Sequence, residues 1–403
     1  TETVTAGQSV TYTLAATDTF GNAWDATGEG TYEREAGAGG FFTANVYTSQ
    51  FQGTWVVTGT VDGQLDTATL TVNPAAAVVV DLQPDPETVA AGGSVTYTLT
   101  ATDTFGNGWD AAGSGAYDID DAAGGSFTEN VYGSERAGTW TVSGTYAGLT
   151  ATARLTVSAD TENPVRMDIQ PLDATVRAGE SRAYAATAYD TFDNPWSVTA
   201  EAVFSTTDPI GSFVGNLYTA GAVGSWDQVA SYEMLSATTR VNVIPGDIQR
   251  IELTPDGMTV AAGSTQPYTV TAYDSEDNGW NVTAESVFTT TDPCGTFVAS
   301  VYEACRTGVW TQTATYDGLT DEKVVTVEPG APARIELTPE DATVTAGEQV
   351  TYTVTAYDAQ DNVIGDVTAA TSLTTTDPCG GFTDGVYEAC RVGPWTQTAA
   401  YVG

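Results

Sequence analysis

The sequence predicts an all-β protein, built as five tandem antiparallel β-sandwiches that form an elongated rod. Three observations predict it. Thr, Val and Tyr alternate through short runs, as half-buried strands require. Those runs are bounded by Pro, Gly, Asp or Asn, residues that end strands and make turns. The same order of runs then returns at one period along all 403 residues.

Two markers fix that period. An "AG" followed by an alternating strand recurs at Gly7, Gly92, Gly179, Gly263 and Gly347, at intervals of 85, 87, 84 and 84. The tryptophan of G-x-W recurs at Trp55, Trp140, Trp226, Trp310 and Trp395. A chain this long exceeds a single core, and the markers divide it into domains 1–73, 77–158, 164–244, 247–328 and 331–403. The first copy begins at the level of Asp341 and lacks the counterpart of "ARIELTP"; the fifth stops before that of "LTDEKVVTV". The expectation is a longer protein continuing beyond both ends, although an unpaired sandwich edge also invites completion by another chain.

The fourth copy reads as the strands "IQRIELT", "TQPYTVTAYD", "WNVTA", "SVFTTTD", "GTFV", "VYEAC", "VWTQTATYD" and "EKVVTV". In the second of these, Tyr268, Val270 and Ala272 share an inward face while Thr269 and Thr271 point to water. Trp310 is the expected plug of the core, because an indole covers a large apolar area in a small domain. The links "VNPAAA", "SADTENP", "VIPGD" and "VEPGAPA" are short and carry proline, which limits bending.

All four cysteines sit in one motif used twice, "TTDPCGTFVASVYEAC" ending at Cys305 and "TTDPCGGFTDGVYEAC" ending at Cys390. Each motif is palindromic about a two-residue centre, Ala299-Ser300 or Asp384-Gly385, and the third copy has Gly215-Asn216 there. Asp-Gly in such a place signals a tight hairpin. Disulfides Cys294–Cys305 and Cys379–Cys390 across it would each contribute roughly 2–3 kcal/mol and imply an oxidising, extracellular location. In an ideal hairpin these cysteines fall at a hydrogen-bonded pair with its wider Cα spacing, so a bulge near Gly295 is expected. A metal site or redox pair is the alternative, and a chain without histidine makes a poor zinc set. The first three copies carry Gly39 and Gln50, Gly124 and Glu135, and Ile210 and Gly221 at the equivalent places.

A formal charge of −40, with Lys323 the only lysine, excludes nucleic acid and anionic membrane as partners. No run of about 18 apolar residues offers a membrane span in this segment. Without histidine, a phosphate-cradling glycine loop or a nucleophile elbow, the sequence points to no enzyme and requires no cofactor. Calcium is the one candidate ion. The loops Asp18–Asn22, Asp103–Asn107, Asp190–Asn194, Asp274–Asn278 and Asp358–Asn362 bear hard oxygen ligands, with Asp160 and Glu162 nearby in a linker. Asp and Asn favour turns for their own reasons, however, and a plain turn is the competing reading. Asn281 heads the only N-glycosylation sequon.

The shared marks "TVxAG", a strand ending in Asp, an Asn turn, "VT", "TTDP" and a closing "GxWxxxAxYxG" resemble the bacterial immunoglobulin-like domain family, its second group in particular, and more loosely invasin and intimin modules. The resemblance covers all five copies. It implies an immunoglobulin-like sandwich used as a spacer or building block in adhesins, surface layers, filaments or large secreted enzymes. The cysteines depart from that pattern, as do Trp24, Trp109, Trp196 and Trp280 after the Asn turn, where the fifth copy has Ile364. The resulting expectation is an extracellular, cell-surface structural protein that self-associates into a sheath, filament or lattice. The alternatives are the stalk of an adhesin whose head lies elsewhere, or accessory modules of a secreted enzyme.

Overall fold

A computed structural model describes residues 1–403. Two compact units divide the chain. One comprises Thr1–Gln170, Ala185–Val203 and Val229–Thr238; the other comprises Pro171–Tyr184, Phe204–Gln228 and Thr239–Gly403. The boundary runs through the third copy of the repeat, and each unit is described by itself.

In the second unit the fourth copy is complete. Its strands are β1 (Arg250–Thr254), β2 (Met258–Ala261), β3 (Thr265–Pro267), β4 (Thr269–Tyr273), β5 (Gly279–Asn281), β6 (Val287–Thr290), β7 (Thr296–Val298), β8 (Val301–Glu303), β9 (Gly308–Tyr316) and β10 (Leu319–Glu328). They form sheets ordered β1-β4-β5, β2-β10-β9-β6 and β3-β8-β7. Every pairing is antiparallel except β2 with β10, which runs parallel from Met258↔Val325 to Ala261↔Glu328. Alternation is the same in parallel and antiparallel edges, so the sequence pattern does not reveal this pair.

The run "TQPYTVTAYD" is two strands rather than one. At Tyr268 the chain leaves the β8 side and joins β1, and the Tyr268 N–H donates to Ser300 O at 2.9 Å. That crossing puts Tyr268 between sheets, where it is 1% exposed beside Val270, Ala272, Leu253, Tyr302 and Val325. Phe297 packs on Tyr302 with centroids 5.5 Å apart and stacks on Phe288 at 5.3 Å. Burial of such rings is worth about 1.5–3 kcal/mol each.

Tyrosine, not tryptophan, fills the centre. Trp310 is half-buried, and its Nε1–H donates to Arg306 O at 2.6 Å. Its ring lies over Gly308, where φ is +146° and a Cβ would stand 3.0 Å from Cζ2. The G-x-W marker is therefore a backbone requirement: only glycine lets the indole fold back on the strand.

The first unit repeats this plan. The second copy has a four-stranded sheet of Glu87–Ala90, Leu149–Ser158, Gly138–Tyr146 and Ala116–Ile119, with the parallel pair kept. Its core is built on Tyr97, Leu99, Tyr132 and Leu155, all buried. The first copy has the same four-stranded sheet and a reduced partner, Ala15–Thr17 with Ala23–Asp25.

Candidate functional site

The palindromic motif folds as a hairpin. Val298 pairs with Val301 across Ala299, whose φ is +52°, and in the fifth copy Asp384 and Gly385 take φ of +49° and +80°. Two left-handed residues are what a type I′ turn demands. The structure joins Cys294 to Cys305 with Cα atoms 5.5 Å apart, and Cys379 to Cys390 at 5.4 Å. The ladder ends two residues earlier on each arm, at Thr296↔Glu303.

What organises the cysteine-bearing ends is an aspartate rather than a bulge. The Asp292 carboxylate, 4% exposed, accepts from Tyr302 Oη at 2.6 Å, Cys305 N at 2.9 Å, and Cys294 N and Arg306 N at 3.2 Å. Asp377 is held likewise by Tyr387 Oη and Cys390 N, and Asp208 by Tyr218 Oη, Gly221 N and Ala222 N. Burial opposes ionisation at all three, but the tyrosine hydroxyl and backbone N–H donors outweigh it and hold each carboxyl below its ordinary value. Desolvation, reinforced by the same contact, pushes the Tyr302 and Tyr218 hydroxyls up.

The copies without cysteine close the hairpin by other means. Gly40 N donates to Gln50 Oε1 at 2.8 Å, and Tyr47 and Tyr132 donate to the carbonyls of Gly39 and Gly124. In the third copy Gly221 approaches so closely that a Cβ would lie 2.6 Å from Gly211 N. The disulfide thus reinforces an end already closed by hydrogen bonds.

The Asp–Asn loops form the second recurrent site. Asp103 Oδ1 accepts from Phe105 N and Asn107 N, while Oδ2 accepts from Asn107 Nδ2 at 2.7 Å and from linker Ala75 N at 2.8 Å. The Asn107 carboxamide then reaches into the preceding copy: Nδ2 donates to Gln50 O at 2.9 Å, and Oδ1 accepts from Gln52 N at 2.8 Å. Asn194 grips Glu135 O and Ala137 N, Asn278 grips Gly221 O and Val223 N, and Asn362 grips Cys305 O and Thr307 N. Linker N–H groups of Asp160, Gly246 and Gly330 bind Asp190, Asp274 and Asp358. Each junction is closed from both sides by one Asp and one Asn.

Loop residues complete the contact. A Cβ on Gly7 would lie 2.9 Å from Phe105 of the next copy, and Phe192 covers Gly92 in the same way. Gly7 and Gly92 also have φ of +87° and +84°, so the "AG" marker reads out a turn and a neighbour together. Asp18 and Asn22 bond only within their own exposed loop, and Phe20 is 89% exposed.

This geometry gives the loop oxygens donors from the protein itself. Asp193, Asp277 and Asp361 turn away to pair with Arg166, Arg250 and Arg334 at 3.2, 3.0 and 2.8 Å, and those guanidinium groups lie over Tyr189, Tyr273 and Tyr357. These loop positions have φ near +60°, which explains why the first two copies carry glycine there. Asp160 offers its N–H to Asp190 and its carboxylate to Glu162 N and Asn163 Nδ2. Asp377, Cys379 and Cys390 cluster within 4.8 Å, but both sulfurs are in the disulfide. Asn281 is exposed at the end of β5, and its Oδ1 accepts from Thr283 N at 2.9 Å.

Sequence reasoning took "TTDP" as a mark of kinship and missed its aspartate as the hairpin's anchor. The signal was present in the sequence alone: the third, fourth and fifth copies share Asp208, Asp292 and Asp377 just before the hairpin, where the first two copies lack that Thr-Thr-Asp-Pro run. The cross-junction grip of the asparagines left no trace in spacing.

No protein-family model matches the chain, and no curated protein matches it. Among solved structures, it is similar to domains 1–6 of the surface layer protein SbsC, at 16% identity and a TM-score of 0.22, over 89% of this chain and 56% of that one. The chain therefore spans just over half of that structure. It is also similar to the Escherichia coli adhesin FdeC, at 20% identity and 0.35, over 62% of this chain and 96% of the other, and to invasin, a bacterial integrin-binding protein, at 15% and 0.37, over 78% and 75%. At these identities and TM-scores the likeness carries no argument about role. The chain's own paired sheets make it a series of immunoglobulin-like sandwiches.

Proposed function

We propose that this chain is a structural repeat segment of an extracellular surface layer, sheath or filament. The observation that carries the reading is the junction: four times over, a buried Asp binds the linker and its Asn grips the preceding hairpin. Such bonds transmit force between neighbours, and hydrogen bonds to a charged group contribute about 1.5–3 kcal/mol each. The stretches 1–73, 77–158, 164–244, 247–328 and 331–403 are the units so joined. Disulfides support an oxidising location outside the cytosol, and a charge of −40 suits a setting where salt screens self-repulsion. Sedimentation and light scattering of the purified chain across salt concentration test this. Ordered multimers support it; a chain that stays monomeric under every condition favours an adhesin stalk.

A further inference from the structure

The outer face of the four-stranded sheet in the second copy lacks the excess of acid that the rest of the chain carries. Val142, Ala153, Leu155 and Val157 are buried in the core, so the positions alternating with them face outward. From Thr139 to Thr145, and from Thr150 to Thr156, those positions hold Thr or Ser, with Arg154 the one exception. The two rows stand in register as Thr139↔Thr156, Thr141↔Arg154, Ser143↔Thr152 and Thr145↔Thr150. Asp118, beside Ser143, is the one acid at an outward position of this sheet. In a chain of charge −40 the face therefore has one base, one acid and no net charge. Neither charge is used within the chain. Its ion pairs all lie elsewhere, the Asp118 carboxylate accepts from Ile119 N at 2.9 Å, and Asp85 takes the Arg154 backbone N–H at 2.8 Å rather than the guanidinium.

We propose that this face binds the same face of a second molecule of this chain, about a two-fold axis that sets Arg154 of each against Asp118 of the other. The inference names the contact behind the self-association proposed above and rests on that reading. Two such acidic molecules repel wherever their carboxylates meet, so contact costs least where acids are absent. A Thr or Ser hydroxyl both donates and accepts, which makes rows of them complementary to themselves. A two-fold axis lying in a face, midway between two points on it, exchanges those points, so one axis forms both Arg–Asp pairs. A second molecule supplies both opposite charges at the required spacing because the spacing is its own. Strands about 4.8 Å apart and about 3.3 Å per residue give a contact that buries on the order of 1,000 Å² between two molecules, enough for a specific but reversible interface.

The test is sedimentation of the full chain and of two surface variants whose circular dichroism reports intact sheet. Arg154→Asp gives a face with two acids, and Asp118→Arg gives one with two bases. Each variant alone should associate at least tenfold more weakly than the parent, Asp118→Arg included although it lowers the net charge. An equimolar mixture of the two should regain the parent's affinity, because each then meets its opposite at both pairs. Thr100→Asp, exposed on the outer face of the other sheet, should change association less than threefold. A parent chain that stays monomeric under every condition would overturn the self-associating role and this contact with it. A parent that assembles while neither variant weakens it, or variants that weaken it but do not recover on mixing, would overturn this contact alone.

Discussion

Asn107→Ala removes three hydrogen bonds from a side chain only 4% exposed: one to the Asp103 carboxylate at 2.7 Å and two across the junction, to Gln50 O and from Gln52 N. Asn22→Ala removes the same bond to carboxylate in an exposed loop and nothing across a junction. The difference between the two variants therefore isolates the two cross-junction bonds, at about 1 kcal/mol each. An opening free energy lowered by about 2 kcal/mol raises amide exchange roughly thirtyfold. The assay is hydrogen exchange at the Gln52 amide, read in both variants against the parent chain. Thirtyfold acceleration in Asn107→Ala with no change in Asn22→Ala is expected. Equal rates at Gln52 in all three chains would refute the junction as a hydrogen-bonded clasp.

Three further outcomes follow from the same contacts. Asp292→Ala leaves the Tyr302 hydroxyl and the N–H groups of Cys294, Cys305 and Arg306 without their acceptor, and should cost about 3–5 kcal/mol in denaturant unfolding of the fourth copy, more than the roughly 2–3 kcal/mol lost on reducing its disulfide. Because the carboxyls of Asp103, Asp190, Asp274, Asp292 and Asp358 lie below their unfolded value of 3.8, the stability they confer is complete above that pH and is lost as pH falls through the folded values; thermal melts should be flat from pH 7 to 5 and drop below about pH 4. Gly308→Ala sets a Cβ 3.0 Å from the Trp310 ring at φ +146° and should destabilise by about 1–3 kcal/mol, visible as a shift in tryptophan fluorescence and in the unfolding midpoint.

The fold was legible because its signals are local. Alternation through Tyr268, Val270 and Ala272 gave the buried face, and the palindrome about Asp384-Gly385 gave the hairpin. The sheet switch at Tyr268 was not legible, since inward-facing residues on either side of a crossing keep the same alternation. Nor was the fate of the Asp–Asn loops. Turn and ion ligand use the same residue types, and the partners that Asn107, Asn194, Asn278 and Asn362 reach lie 55 to 59 residues away in the chain. The tryptophan of G-x-W was correctly singled out and wrongly centred: its glycine recorded a backbone approach, while the tyrosines of "VY" hold the middle of the core.

The most direct test of the structural role is electron microscopy of native material from the surface of cells that make this protein, with and without a calcium chelator. Regular filaments or lattices that survive chelation are expected, because the loop carboxylates are already bound by N–H donors. Separate flexible molecules in both conditions would contradict the account.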